Sequence, residues 1–447
     1  MSKLNHLLTA LPDPKENYIK EINNIFFKFL WTNKPDKINR KTVEMDYAKG
    51  GIKMINLRNT ITSFKATWVR RLLINQNFEK PLWIELFEKV YNTTSTKFSN
   101  FGTYYPVMLK NRTKNLFWGN VFDAWVKLSG KQNIENGTIL ITSPLWYNIN
   151  MPCKEMYLPK WYEKGIVTIA DVTDNFGNIM DLDTIKSTYG IETINPLHYL
   201  RVQQNIKMFL RKYGFTQVDR IHRPFVPIYM RILYKNSKGA SVFNKILNRD
   251  VCNEHSMKAK WQDELNIMID EDMWKNIFYS CFKTVCNNTI IWFQTRLLYR
   301  ILGTRTYLYK LHIGDSDRCI DCGEIETIVH MFVECRTVNK IWKFLKEYIN
   351  RTIKISVYFD KVDILFGYSL NNQNKIPLSA IILITKKYIY DLKSRNNRPF
   401  SFNFDILLYR LKQTCQDELY LATLNNQNEK FNMVWKKWLP VFGITLK

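Results

Sequence analysis

The sequence predicts a mainly α protein, and three observations carry that expectation. Apolar residues recur at helical spacing through long stretches near both ends of the chain. Nothing shows the sustained alternation of a large sheet. Of the 447 residues, 46% are hydrophobic and 14% aromatic, which is enough to bury cores; the length suggests two to four domains.

The elements follow in order. In KENYIKEINNIFFKFLW, Lys15 to Trp31, apolar residues at 18, 19, 22, 25, 26, 29 and 30 share one helical face. Pro12, Pro14 and Pro35 flank it, as expected at helix limits. A polar, basic strip, TNKPDKINRKTV, comes next, and Gly50 and Gly51 break the chain before GIKMINL. A second amphipathic stretch runs from about Thr60 to Glu88, with Trp68, Val69, Leu72, Leu73, Trp83, Leu86 and Phe87. Residues 1–115 hold 20 Lys and Arg against 9 Asp and Glu, so they form a compact basic helical region. Residues 116–270 read as a helical linker of short helices and loops. Residues 271–350 return to clear helical periodicity around a cysteine cluster. Residues 351–447 form a helical extension, with helices at about 377–394 and 404–424 and an end near Trp435 and Trp438. The Asn-rich patches at 371–374 and 425–428 read as loops.

The chain carries a net charge of +25. An excess of that size is tolerated best beside a polyanion; a lysine-rich composition with no special partner is the plainer alternative. No run approaches the roughly 18 apolar residues that span a bilayer; Ala380–Ile384 is among the longest. The N-terminal MSKLNHLLTALPDPK is too short in apolar residues for a signal peptide. The expectation is therefore an intracellular protein, nuclear or cytoplasmic, with no membrane partner and with its eight cysteines as thiols or metal ligands.

The cluster CIDCGEIETIVHMFVEC holds Cys319, Cys322, His330 and Cys335 in the pattern C-x2-C-x7-H-x4-C. Zinc takes four such ligands in a closed tetrahedron. The C-x2-C pair suits a tight turn, and Gly323 follows where freedom from Cβ restraint helps. His330 and Cys335, five apart, can close the site from one side of a helical turn or its end. Buried free cysteines are the plain alternative, but composition makes the whole pattern an accident on the order of 10⁻⁴–10⁻³. Cys281 and Cys286 lie on an apolar helical stretch and read as core; His312 precedes the cluster and could substitute for His330, but it lies on the wrong side of the C-x2-C turn. Before the cluster, Arg296, Arg300, Arg305, Lys310 and Arg318 interleave with Trp292, Phe293, Tyr299, Tyr307 and Tyr309. Single-stranded nucleic acid favours that mixture, and an amphipathic helix with buried aromatics also produces it. After the cluster, IWKFLKEYI turns Ile341, Trp342, Leu345, Tyr348 and Ile349 inward.

At this point three stretches resemble the C-terminal part of the reverse transcriptase polyprotein of non-LTR (long interspersed element-type) retrotransposons. FFKFLWTNKPDKINRKTVEMDYAKGGIKMINL, residues 26–57, is similar to the segment after the polymerase palm. WYEKGIVTIADVTDNFGNIM, from Trp161, is similar to a spacer motif. Residues 293–342 resemble the family's reverse-transcriptase zinc-binding domain, including Glu326-Thr327 before the histidine and Trp342 after the last cysteine. The resemblance makes 1–115 a thumb-like region and 271–350 the zinc-binding (CCHC) domain, and implies RNA and DNA binding, RNA favoured. Cys319, Cys322, His330 and Cys335 would hold one Zn²⁺. Arg296, Arg300, Arg305 and Arg318 would contact phosphates. Lys34, Lys37, Arg40 and Lys41 would track a primer–template backbone, with Trp31 packing beneath.

Catalysis does not follow. Polymerases of that family need paired aspartates for two metal ions, and no Asp-Asp dipeptide occurs in this chain. There is no G-x-S-x-G, P-loop, H-E-x-x-H or G-x-G-x-x-G, and Asp270-Glu271-Asp272 reads as a solvated loop. Two alternatives stand beside a binding fragment: a non-catalytic subunit that completes a reverse transcriptase with a palm-containing fragment, and a decayed retroelement copy.

Overall fold

The computed structural model describes residues 2–74, 80–129, 143–174, 176–214, 239–248, 256–368, 375–395 and 401–444. It is mainly helical, and the described residues form no sheet, only isolated bridges such as Arg318 with Ile325. The patch at 371–374 lies outside them. No described helix is long and apolar enough to cross a membrane. The described cysteines are all free thiols.

The chain divides into two compact units. One comprises Met1–Leu30 and Ile55–Asp250, the other Trp31–Met54 and Val251–Lys447. The basic strip, read above as part of the 1–115 region, thus belongs to the unit that carries the cysteine cluster.

In the first unit the Leu57–Ile74 helix is the central element. It packs against the helices Leu116–Ser129, Gly239–Leu247 and Ser2–Ala10, burying Ala66, Val69 and Leu72 completely or nearly so. Lys65 faces inward too. Its ammonium donates to the Leu8 carbonyl at 2.6 Å and to that of Leu11, with Asp13 at 3.6 Å. A buried ammonium needs such partners, and here they tie the N-terminal helix down. The stretch from Trp161 is a core plug: Ile166, Ile169 and Val172 are inaccessible, and Thr168 and Asp171 cap the short turn between them reciprocally.

In the second unit Asp270 accepts a hydrogen bond from the Met273 amide and caps the Glu271–Thr284 helix. The acidic triplet is therefore a helix start, where negative charge opposes the dipole. Asn287 caps Asn288–Leu298 in the same way. The Ile376–Arg395 helix packs against both of these and against Phe404–Leu424. Its run Ala380–Ile384 is buried throughout, so the longest apolar stretch is core. Cys281 and Cys415 are buried, and Cys286 is half-buried. In the Arg336–Ile353 helix Ile341, Trp342, Leu345 and Ile349 are buried and Tyr348 half-buried.

The Gly50–Gly51 turn seats the basic strip on this unit. Gly50 has φ 80° and ends the Tyr47–Lys49 turn, and its carbonyl accepts from the Tyr299 hydroxyl at 2.8 Å. The Tyr47 ring stacks on Phe282 with centroids 3.7 Å apart. At Gly51 a Cβ would overlap the backbone of Met45. Gly51→Ala is therefore expected to cost about 1–3 kcal/mol. Denaturant unfolding checks this, and a neutral variant would contradict so close a backbone approach.

Candidate metal centre

The cluster starts as a tight turn. The Gly323 amide donates to the Cys319 carbonyl at 2.8 Å, and the Cys319 amide to the Glu324 carbonyl at 2.7 Å. Gly323 has φ 79° with open space around it, so only its backbone conformation demands glycine. The turn brings Cys319 and Cys322 to one side. The other two ligands come from a π-helical turn, His330–Glu334, in which the Cys335 amide donates to the His330 carbonyl at 3.0 Å. Such an i→i+5 turn is rare and recurs at functional sites. It is the physical answer to a spacing of five, because residues joined this way lie above one another. The Thr327 hydroxyl accepts from the His330 amide at 3.0 Å. The indole of Trp342 donates to the Phe332 carbonyl at 2.8 Å, which locks the turn to the next helix.

The four ligand atoms lie within 4.8 Å of one another. Cys319 Sγ and Cys335 Sγ are 4.0 Å apart, as are Cys322 Sγ and Cys335 Sγ, and Cys322 Sγ is 3.2 Å from His330 Nε2. Cys319, His330 and Cys335 are buried and Cys322 is half-buried. This set can bind a metal ion. His312 is exposed and outside the set. The two close thiols shift in opposite directions. The hydrogen bond to Cys335, with burial, pushes Cys319 up to about 12. The hydrogen bond from Cys319 holds Cys335 down at about 6 against its burial.

Around the sulfurs is a charged shell with no sequence signal. Lys393, on the Ile376–Arg395 helix, points its ammonium at Cys319 Sγ (3.1 Å), Cys335 Sγ (3.6 Å), Asp321 Oδ2 (3.0 Å) and Glu326 Oε2 (3.5 Å). Burial opposes its charge, but these thiols and carboxylates outweigh it and hold Lys393 above the usual lysine range. Glu326 also accepts from the Arg305 amide at 3.1 Å, and its carbonyl accepts from the Thr306 hydroxyl at 2.8 Å. It thereby fixes the start of the Arg305–Lys310 helix.

Several of the expected nucleic-acid contacts are committed within the fold. Trp31 is 6% exposed and packs on Trp292, centroids 5.4 Å apart. It supports the basic strip and has no free face for a base. Arg300 is committed too, paired with Glu264 and lying over the Trp261 ring at 4.5 Å. Arg40 pairs with Asp36 at 2.6 Å, and Arg318 braces the turn through the Gly323 carbonyl at 3.1 Å. Arg305 is half-buried and Lys41 exposed. Of the interleaved aromatics Phe293 is core and Tyr299 packs on Phe278.

Lys34, Lys37 and Arg296 behave differently. Lys37 stands over the Tyr307 ring at 5.9 Å. Partial burial lowers its pKa, and the neighbouring charges of Arg296 and Lys34 lower it further. None of the three has a carboxylate partner among the described residues. Two basic stretches some 260 residues apart in sequence thus share one surface of the second unit. No family model matches the chain.

Proposed function

We propose that the chain is a nucleic-acid-binding part, RNA favoured, of a non-LTR retrotransposon reverse transcriptase, outside the polymerase palm. We further propose that Cys319, Cys322, His330 and Cys335 hold Zn²⁺. For zinc, the support is the donor set. Three thiolates and an imidazole are what a closed structural zinc site uses. A tetrahedron with Zn–S bonds of about 2.3 Å has edges of about 3.8 Å, close to the sulfur separations of 4.0 Å. With every position taken by protein, the ion would staple the turn to the helix rather than activate water.

For nucleic acid, the observation that carries the reading is the convergence of Lys34 and Arg296 on Lys37, which stands over Tyr307, with no carboxylate partner among the described residues. Like charges held together in a folded protein cost energy, and a polyphosphate backbone is the ligand that relieves it. Binding of single-stranded RNA to the full chain should weaken steeply with salt, each phosphate contact adding about −0.7 to the logarithmic slope. Replacing Lys34, Lys37 and Arg296 together by glutamine should flatten that slope by about 2. A salt-independent affinity in the parent protein, or a triple variant with an unchanged slope, would remove the reading.

A further inference from the structure

Lys393 is the most completely built group outside the four-ligand motif. Its side chain is 3% exposed, and those of Asp321 and Glu326 are 7% and 5% exposed. An ammonium is costly to bury and survives only with charged or hydrogen-bonding partners around it. Two carboxylates would satisfy that need alone. Yet the ammonium also lies within 3.1 Å of Cys319 Sγ and 3.6 Å of Cys335 Sγ. Asp321 lies inside the C-x2-C turn and Glu326 just after it, so both carboxylates are fixed by the loop that presents the sulfurs. They hold the lysine head against the cysteines, and its donors serve both oxygen and sulfur.

We propose that Lys393 is a positioning residue of the metal centre, donating N–H···S hydrogen bonds to the thiolates of Cys319 and Cys335. This rests on the metal reading above. Three thiolates around a divalent ion leave one surplus negative charge on sulfur. A buried ammonium at hydrogen-bond distance offsets it and draws electron density from the sulfurs. Protonation or electrophilic attack on a sulfur, the steps that release a metal, then become harder. Partners of this kind beyond the ligands typically change metal affinity 10–100-fold. The Ile376–Arg395 helix would thereby complete the site, through a residue 58 positions beyond the last cysteine.

The test uses the full chain as wild type, Lys393→Met, and Lys393→Met with Glu326→Gln. The double variant removes one charge of each sign, so it keeps a folded comparison if the single variant unfolds; circular dichroism establishes the fold. Zinc affinity is measured by competition with a chromophoric chelator, and the sulfur-to-metal charge-transfer band is recorded after loading with Co²⁺. Loss of Lys393 should weaken zinc 10–100-fold and shift the cobalt band to longer wavelength, because the sulfurs become more electron-rich. A merely structural lysine would leave that band in place. Zinc affinity within twofold of wild type and an unmoved band in the folded variant would overturn the proposal. A wild-type chain that takes up neither metal would overturn the metal reading itself.

Discussion

Cys322→Ser is expected to reduce bound zinc from one equivalent to almost none. Serine keeps the size of the side chain but not a thiolate at neutral pH, and a soft ion loses one of its four ligands. Cys322 is the half-buried member of the set and lies against His330, so the change leaves the core intact and reports on the ion. Metal binding to the folded state alone stabilises it by mass action, about 4 kcal/mol at a thousandfold excess over the dissociation constant. Chelator should therefore lower the thermal midpoint of the wild-type chain and leave that of Cys322→Ser unmoved. Elemental analysis decides the first point, and equal zinc in the two proteins would dispose of the site.

Lys386→Met should remove a rise in stability between neutral and alkaline pH. Lys386 is fully buried and donates to the Gln294 side-chain oxygen at 2.8 Å and the Leu365 carbonyl at 2.7 Å. Burial drives its pKa down to about 7, with Cys281 acting weakly the other way; burial pushes the Cys281 thiol itself up to about 12. The unfolded chain keeps this lysine protonated to about pH 10. Between about 7 and 10 the unfolded state therefore binds more protons, and stability climbs with pH. Over those three units the climb amounts to roughly 4 kcal/mol at most. Below about 7 the folded state carries the full penalty of a buried ammonium. Methionine fills similar space without charge, and Leu365 keeps its bond from the Gln294 amide at 2.8 Å. The variant should gain most over wild type at pH 6 and lose that advantage by pH 10, as followed by denaturant unfolding. Parallel stability curves would show that Lys386 does not titrate in this window.

Local patterns reached far in this chain. A helix periodicity needs only neighbours three and four residues away, so Glu16–Leu30 and Arg336–Ile353 were legible from their spacing, although Tyr18, Ile25 and Phe29 of the first stay exposed. The four ligands were legible because ligand chemistry restricts residue types and a short turn restricts their spacing. Lys386 and Lys387 show where this stops. Adjacent in sequence and alike in type, one is inaccessible while the other, a fifth exposed, pairs with Asp391. No periodic rule tells them apart, since the whole Ala380–Ile389 face is surrounded by other helices.

The sequence by itself determined a mainly helical protein, a first helix limited by proline, a break at Gly50 and Gly51, and a Cys₃His set able to take a metal. Each of these follows from backbone geometry or ligand chemistry within a few residues. Only the tertiary structure decided that residues 31–54 join 251–447, that Lys34 and Arg296 lie near Lys37, that Arg300 is spent on internal contacts, and that Lys393 closes over the sulfurs. Those are contacts between distant segments. Their energies depend on which faces meet after the chain has packed, and a charged side chain carries no mark of whether it will face water, phosphate or a buried thiol.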